Sequence, residues 1–214
     1  MYLSEKLNNE ISRQSKKYPF FITKYFKNEI ARIYDEKFIE RAFKVGDKIS
    51  DSKFLNKNNE VVTLSDQRKG RPAILSFYRG SWCAFCNLEL RYYHHLIEES
   101  EMDSINMFAI TPEAPDSSIN TDDLHFSILS DVKNQFAKKL NLVYTPSWLL
   151  QLIYRLGGIN LKKTQENNEA ELPIPATYVI DKEGVITFAF VDPDYTKRAE
   201  PSLVLDEYKK LLYI

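Results

Sequence analysis

Two cysteines, Cys83 and Cys86, lie two residues apart where a continuous apolar run gives way to an amphipathic one. Upstream, residues 72–78 (Pro-Ala-Ile-Leu-Ser-Phe-Tyr) read as a buried central strand. Downstream, Cys86, Leu90, Tyr93 and Ile97 recur at steps of four, three and four, the spacing of one helix face, which turns Glu89, Arg91, Glu98 and Glu99 towards water. A strand feeding straight into a helix places both thiols at a helix N-terminus, where unpaired N–H groups and aligned peptide dipoles favour a thiolate. The first cysteine of such a pair is the better nucleophile, and the second resolves whatever the first has attacked. Two competing readings are a pair of inert buried thiols and half of a zinc site. The second lacks ligands, because the chain has no further cysteine and three histidines.

The rest of the chain sets this pair in an α/β frame. Residues 1–44 carry Phe21, Ile22, Tyr25, Phe26, Ile30 and Ile33 at three-to-four-residue steps and read as an N-terminal helical extension, docked on the remainder or making a dimer contact. Gly46 ends that pattern, and residues 45–214 form the main domain. Short strands at 54–55 and 61–64 flank a polar turn and suggest a hairpin. Strands at 105–111 and 126–129 and a helix over 132–140 then alternate, which favours a parallel arrangement. Thr145-Pro146-Ser147 starts a helix whose apolar face (Trp148, Leu149, Leu152, Ile153, Leu156) stops at Gly157-Gly158. Residues 162–171 read as a polar loop, and 174–180 and 185–191 as a hairpin about Asp181-Lys182-Glu183-Gly184. A helix from about Ser202 to Leu212 closes the chain, with Leu203, Leu205, Tyr208, Leu211 and Leu212 available for burial.

Composition narrows the function. Lys+Arg 29 against Asp+Glu 30 gives a net charge of -1, so no global basic field exists to collect nucleic acid or anionic lipid. No apolar run approaches the ~18 to 20 residues of a membrane span, and the first residues lack the basic-then-apolar order of a secretory signal. The expectation is a cytoplasmic protein with neither nucleic-acid nor membrane partners. Two cysteines also exclude a disulfide-stapled scaffold.

The segment Phe77-Tyr78-Arg79-Gly80-Ser81-Trp82-Cys83-Ala84-Phe85-Cys86-Asn87-Leu88-Glu89-Leu90 resembles the active-site segment of the peroxiredoxin-like proteins of the alkyl hydroperoxide reductase and thiol-specific antioxidant (AhpC/TSA) superfamily. The likeness is to the branch with a thioredoxin-style cysteine pair. It continues through residues 172–181 and 190–201 and covers most of 45–214; the helical extension also looks like that branch. The implied fold is thioredoxin-like, a central mixed sheet with flanking helices. The implied activity is thiol-dependent reduction of hydroperoxides through a Cys83/Cys86 dithiol–disulfide cycle. The implied partners are a thiol reductant, thioredoxin or similar, and a peroxide or disulfide substrate; the oligomeric state is open, with a homodimer as one candidate. No metal or organic cofactor is implied, since electrons can pass through sulfur alone.

This chain departs from the family pattern at informative places. A typical member has Pro seven residues and Thr three residues before its peroxidatic cysteine; with Cys86 in that position, these are Arg79 and Cys83. The Thr that would hydrogen-bond the peroxide is thus a thiol, and the distant Arg that would polarise it has no equivalent assignable from sequence. Read as a thioredoxin instead, Cys83 is the nucleophile and Cys86 the resolving thiol, with Ala84 in place of the branch's usual Pro. The resemblance further implies that Pro175 is a cis proline facing the cysteine pair, leaving the backbone of Ile174 free to bind an extended substrate. Arg79 either lends positive charge to a thiolate or is an exposed residue at a strand end. Trp82 shields the motif, and His94 and His95 lie too far down the helix to act as a base for Cys83. The alternatives to a peroxidase are a thiol–disulfide oxidoreductase of thioredoxin type and a non-catalytic redox-sensing module.

Overall fold

The computed structural model describes residues 2–100, 105–115, 124–166 and 168–213. Three helices come first, α1 (Leu3–Lys17), α2 (Phe20–Asp35) and α3 (Phe38–Arg41). The hairpin strands β1 (Lys53–Leu55) and β2 (Val61–Thr63) follow, then α4 (Leu64–Arg68). The central unit is β3 (Ala73–Phe77), α5 (Ala84–Glu99), β4 (Met107–Thr111) and β5 (Ser127–Ser130). After it come α6 (Gln135–Lys139), β6 (Val143–Tyr144), α7 (Trp148–Leu156), α8 (Leu161–Thr164) and β7 (Leu172–Pro173). The hairpin β8 (Ala176–Ile180) and β9 (Ile186–Val191) and the helix α9 (Pro201–Lys210) complete the fold.

Seven strands form one mixed sheet in the order β2-β1-β5-β4-β3-β8-β9. β3, β4 and β5 run parallel, while β8 pairs antiparallel with β3 (Ser76 opposite Thr177) and β9 antiparallel with β8. Alternation along β3 divides the core between the two faces. Ile74 joins Tyr93, Ile97, Val204 and Tyr208 on the side of α5 and α9, whereas Leu75 and Phe77 join Phe136 and Tyr178 on the other. This is the expected α/β architecture, with the cysteine pair beyond the C-terminal end of central β3.

Several local expectations need revision. Leu64 does not extend β2; it opens α4, because the Thr63 hydroxyl accepts the Asp66 N–H and caps a helix there. The polar stretch after Lys162 is not all loop, since Asn160 caps α8 in the same way. In α7 the predicted apolar face is largely the exposed one: Trp148 is 76% and Leu156 80% exposed, whereas Leu150 and Tyr154 are buried. In α9 the buried residues include Val204, Leu205 and Tyr208, and Leu203 faces out.

The N-terminal helices pack on the main sheet. Leu3 and Leu7 of α1 enter the cluster around Tyr92 and Tyr93 of α5, and the Leu3 N–H donates to the Glu200 carboxylate at 3.2 Å. α2 ties to the start of α7, where the Glu29 carboxylate accepts the Ser147 N–H at 2.9 Å. The Tyr34 hydroxyl of α2 donates to the Asp192 carboxylate. No helix among the described residues is long and apolar enough to cross a membrane.

Candidate active site

The turn from β3 into α5 presents the two thiols. Gly80 sits at φ +143°, and a Cβ there would lie 2.6 Å from the Trp82 indole nitrogen and 2.7 Å from the Glu113 carboxyl carbon, so glycine is required. Glu113 holds the loop by accepting the Ser81 N–H at 2.6 Å, and the Asn87 amide donates to the Ser81 carbonyl at 2.7 Å. Cys83 is the N-cap residue of α5 and Cys86 lies in its first turn. Both are buried, at 2% and 0% exposure, and the Cys86 thiol donates to the Cys83 sulfur across 2.6 Å.

Each sulfur has its own arginine. The Arg79 guanidinium, 3% exposed, donates from Nη2 to Cys83 Sγ at 3.1 Å and from Nη1 to the Tyr154 hydroxyl at 3.2 Å. It lies over the Tyr195 ring at 3.9 Å and over the Trp82 ring at 5.1 Å. Arg198 donates from Nη2 to Cys86 Sγ at 3.3 Å and from Nε to the Glu89 carboxylate at 2.6 Å. The Arg198 and Glu89 side chains are each 1% exposed. Two further bonds, to the Tyr195 and Lys197 carbonyls, fix Arg198 in place. Thr177 of β8 donates to the other Glu89 oxygen at 3.5 Å.

These surroundings separate the two thiols. Burial opposes ionisation of Cys83, but the Cys86 thiol aimed at it and the Arg79 and Arg198 charges outweigh burial and hold it well below the ordinary thiol range. Burial, the hydrogen bond given to Cys83 and the negative charge on Cys83 push Cys86 well above that range. Burial also pushes Glu89 up to about 7, against the pull of Arg198, so this carboxyl exchanges a proton near neutrality. Only Cys83 of the pair lines a cavity of about 260 Å³ that opens between α1, α7 and the Tyr195 loop; Cys86 lies behind it.

The other sequence-predicted residues fall in different places. Trp82 packs on Tyr154, with ring centroids 5.2 Å apart, and lines the cavity. Pro175 does not have the expected cis peptide, since none occurs among the described residues. Nor is the Ile174 amide free for a substrate: it donates to the Leu142 carbonyl at 2.6 Å, continuing the pairing of β6 with β7. Ile174 is 0% exposed and reaches the site only by packing in the cluster that Trp82 covers.

Four contributors escape sequence reasoning. Glu89 does not face water; it lies three residues after Cys86 and four before Tyr93, on the same buried stripe, and that spacing was a readable signal. Arg198 is 112 residues from Cys86, inside the 190–201 stretch of the resemblance but in an irregular segment whose spacing does not link it to the cysteines. Arg13 and Lys17 reach the cavity mouth from α1, which no motif linked to the cysteines.

With this geometry in hand, comparison with known proteins gives a consistent result. The model of the AhpC/TSA family matches residues 45–189, well over half of the chain. The chain therefore belongs to the AhpC/TSA family. Among solved structures, peroxidoxin BcpB from Mycobacterium tuberculosis is similar with a TM-score of 0.58 at 15% identity, over 80% of this chain and 98% of that one. The mitochondrial 2-Cys peroxiredoxin from Plasmodium falciparum gives 0.55 at 18%, over 79% and 95%. The thiol peroxidase from Chromobacterium violaceum gives 0.57 at 11%, over 79% and 87%. At these identities the structures establish the shared thioredoxin-like fold. No curated protein matches the chain in sequence. Family membership and fold together support an oxidoreductase that reduces peroxides with thiols.

Proposed function

We propose that the protein reduces hydroperoxides through a Cys83/Cys86 dithiol–disulfide cycle in which Cys83 attacks first. The observation that carries this order is the asymmetry of the pair: Cys83 bears Arg79 and lines the cavity, while Cys86 is enclosed behind it. The Cys83 thiolate attacks the terminal oxygen of the hydroperoxide, the O–O bond breaks, and the departing alkoxide takes a proton to leave as an alcohol. Cys83 is then a sulfenic acid. Cys86 gives up its proton and attacks the Cys83 sulfur; the S–O bond breaks, and hydroxide leaves with that proton as water. Two thiols and one hydroperoxide thus become one disulfide, one alcohol and one water. Arg198 favours the transient Cys86 thiolate, and Glu89 behind it is a proton acceptor of suitable strength.

A dithiol protein of thioredoxin type returns the disulfide to the reduced state, because its second thiol resolves the mixed disulfide formed on the first. The exposed stripe of Trp148, Leu152 and Leu156 on α7 supports self-association as a homodimer. Light scattering should find a dimer, and Trp148→Glu with Leu156→Glu should return it to a monomer; a monomeric wild type would remove this part.

The single-cysteine variants test the order of attack. Cys86→Ser given peroxide should accumulate a sulfenic acid on Cys83 that a dimedone-type probe captures. Cys83→Ser should react no faster than a free thiol. A rapid sulfenic acid on Cys86 in Cys83→Ser would reverse the roles. One observation favours a second reading: where peroxiredoxins carry the Thr three residues before the peroxidatic position, this chain has Cys83. Brisk turnover of disulfides beside wild-type peroxide reactivity no faster than a free thiol would make the protein a thiol–disulfide oxidoreductase.

A further inference from the structure

The cavity over Cys83 is more elaborate than hydrogen peroxide needs. Its floor is the Cys83 sulfur with the Arg79 guanidinium, and its walls are apolar or aromatic, among them Phe26, Trp82, Ile153 and Tyr154. Its rim is cationic. Arg13 and Lys17 stand four residues apart on α1, hence on one face, and among the described residues no carboxylate lines the cavity. One acidic residue lies close by: Glu10, which chelates Arg13 at 2.6 and 2.7 Å and whose own ionisation is favoured by both Arg13 and Lys17. Two cations thus share one carboxylate, leaving a net positive rim above an apolar shaft. At the floor, the Arg79 charge is matched by the Cys83 thiolate, so the unmatched charge sits at the mouth and not at the reacting atom.

We propose that this cavity selects alkyl hydroperoxides that carry a carboxylate head group, the carboxylate resting on Arg13 and Lys17 while the hydrocarbon lines the shaft and the peroxide meets Cys83. The proposal rests on the peroxidase reading above and names the substrate class of that same site. An apolar shaft favours a hydrocarbon over water. A net cation at its entrance raises the local concentration of an anion and orients it head outward. Helix α1 lies wholly outside the 45–189 segment that defines the family, so the selectivity belongs to this chain's extension. α1 is held firmly enough for the task, since Leu3 and Leu7 are buried against α5 and Lys6 lies over the Tyr92 ring at 5.4 Å.

The test is the oxidative half-reaction, followed with the reduced full-length protein and three probes: linoleic acid hydroperoxide below its micelle concentration, its methyl ester, and hydrogen peroxide. The acid should be reduced about tenfold more efficiently than the ester at low ionic strength, the preference shrinking in high salt as the rim charge is screened. In Arg13→Gln/Lys17→Glu, two exposed positions whose helicity circular dichroism can verify, the acid-to-ester ratio should fall to about one. Lys17→Arg should keep it. Equal efficiency on acid and ester in the wild type, or an undiminished ratio in the double variant, overturns the proposal. If ester and hydrogen peroxide are turned over and only the acid preference is missing, the peroxidase reading stands without this specificity. Failure of all three probes removes that reading, and the proposal with it.

Discussion

The two halves of the cysteine pair are separated by one helical turn and by a change of environment. On the Cys83 side, Arg79 is stacked between aromatic rings and gives its hydrogen bonds to a sulfur and a phenol, next to a cavity. On the Cys86 side, Arg198 is neutralised by a buried carboxylate and held by two backbone carbonyls. Arg79, with no carboxylate partner among the described residues, acts chiefly on Cys83, whereas Arg198 divides its charge between Cys86 and Glu89. Together with the hydrogen bond from Cys86 to Cys83, this separates two chemically identical side chains into one held towards the thiolate and one held protonated. This asymmetry can be broken from either side.

The largest effect should come from Arg198→Ala, which leaves the Glu89 carboxyl buried without its counter-charge. Breaking a buried ion pair from one side costs about 3–5 kcal/mol, and urea denaturation at pH 8, where Glu89 is ionised in the wild type, should show a loss in that range. A loss near that of an exposed pair, under about 1 kcal/mol, would mean that the closed side is not the sealed compartment described here.

Glu89→Gln should act next, through pH. The Glu89 carboxyl is raised from 4.5 to about 7 in the fold, so between those values the native state holds a proton that the unfolded chain has released. Its contribution to stability is therefore full below pH ~4.5, falls as pH rises to about 7 and is flat beyond, a change of about 3 kcal/mol by linkage. Asp131, raised from 3.8 to about 6 mainly by burial, adds a slope of the same sign at lower pH, so the variant must be subtracted from the wild type. Denaturation at pH 5 and pH 7.5 should show wild-type stability falling more steeply than that of Glu89→Gln. Parallel slopes would exclude Glu89 as a group that titrates near neutrality.

Arg79→Met tests the open side. Without the guanidinium, Cys83 loses one of the charges that hold it ionised, and its alkylation rate near pH 6.5 should fall roughly tenfold. Cys86 should remain the slower thiol throughout. A variant that alkylates as fast as the wild type would shift the credit for the Cys83 thiolate to Cys86 and the helix N-terminus.

The same asymmetry explains what could be read in advance. The pair's place between strand and helix was legible because the periodicity changes from a continuous apolar run to steps of three and four at Cys83. The faces of α5 followed for Leu90, Tyr93 and Ile97, but a charge on a buried stripe looks like a surface residue until its partner is known. The partner of Glu89 lies 109 residues away. The resemblance alone points to Pro175, and the local ladder that consumes the Ile174 amide depends on Leu142, which no local pattern connects to it. The apolar stripe of α7 is legible as a helix face that serves either the core or a subunit contact, and Leu150 and Tyr154, on the other side, take the core. Short-range periodicity thus located the sulfurs, while the long-range contacts that distinguish them were hidden.

The smallest expected effect sharpens the closed side further. Thr177 donates to Glu89 over 3.5 Å, the longest contact in the chain of groups running from Cys86 through Arg198 to β8. A bond of that length to a group shared between charged and neutral forms contributes at most about 1 kcal/mol. Thr177→Val keeps the branched shape that β8 buries beside Ser76 and removes only the hydroxyl. Because the hydroxyl favours the ionised carboxylate, its loss should move the Glu89 titration upward from about 7, with stability changed by less than 1 kcal/mol. Carbon-13 NMR of the Glu89 carboxyl across pH 5 to 9 would measure the shift directly. A downward movement would show that Thr177 instead steadies the protonated form, and that the closed side stores its proton between Glu89 and β8 and not between Glu89 and Arg198.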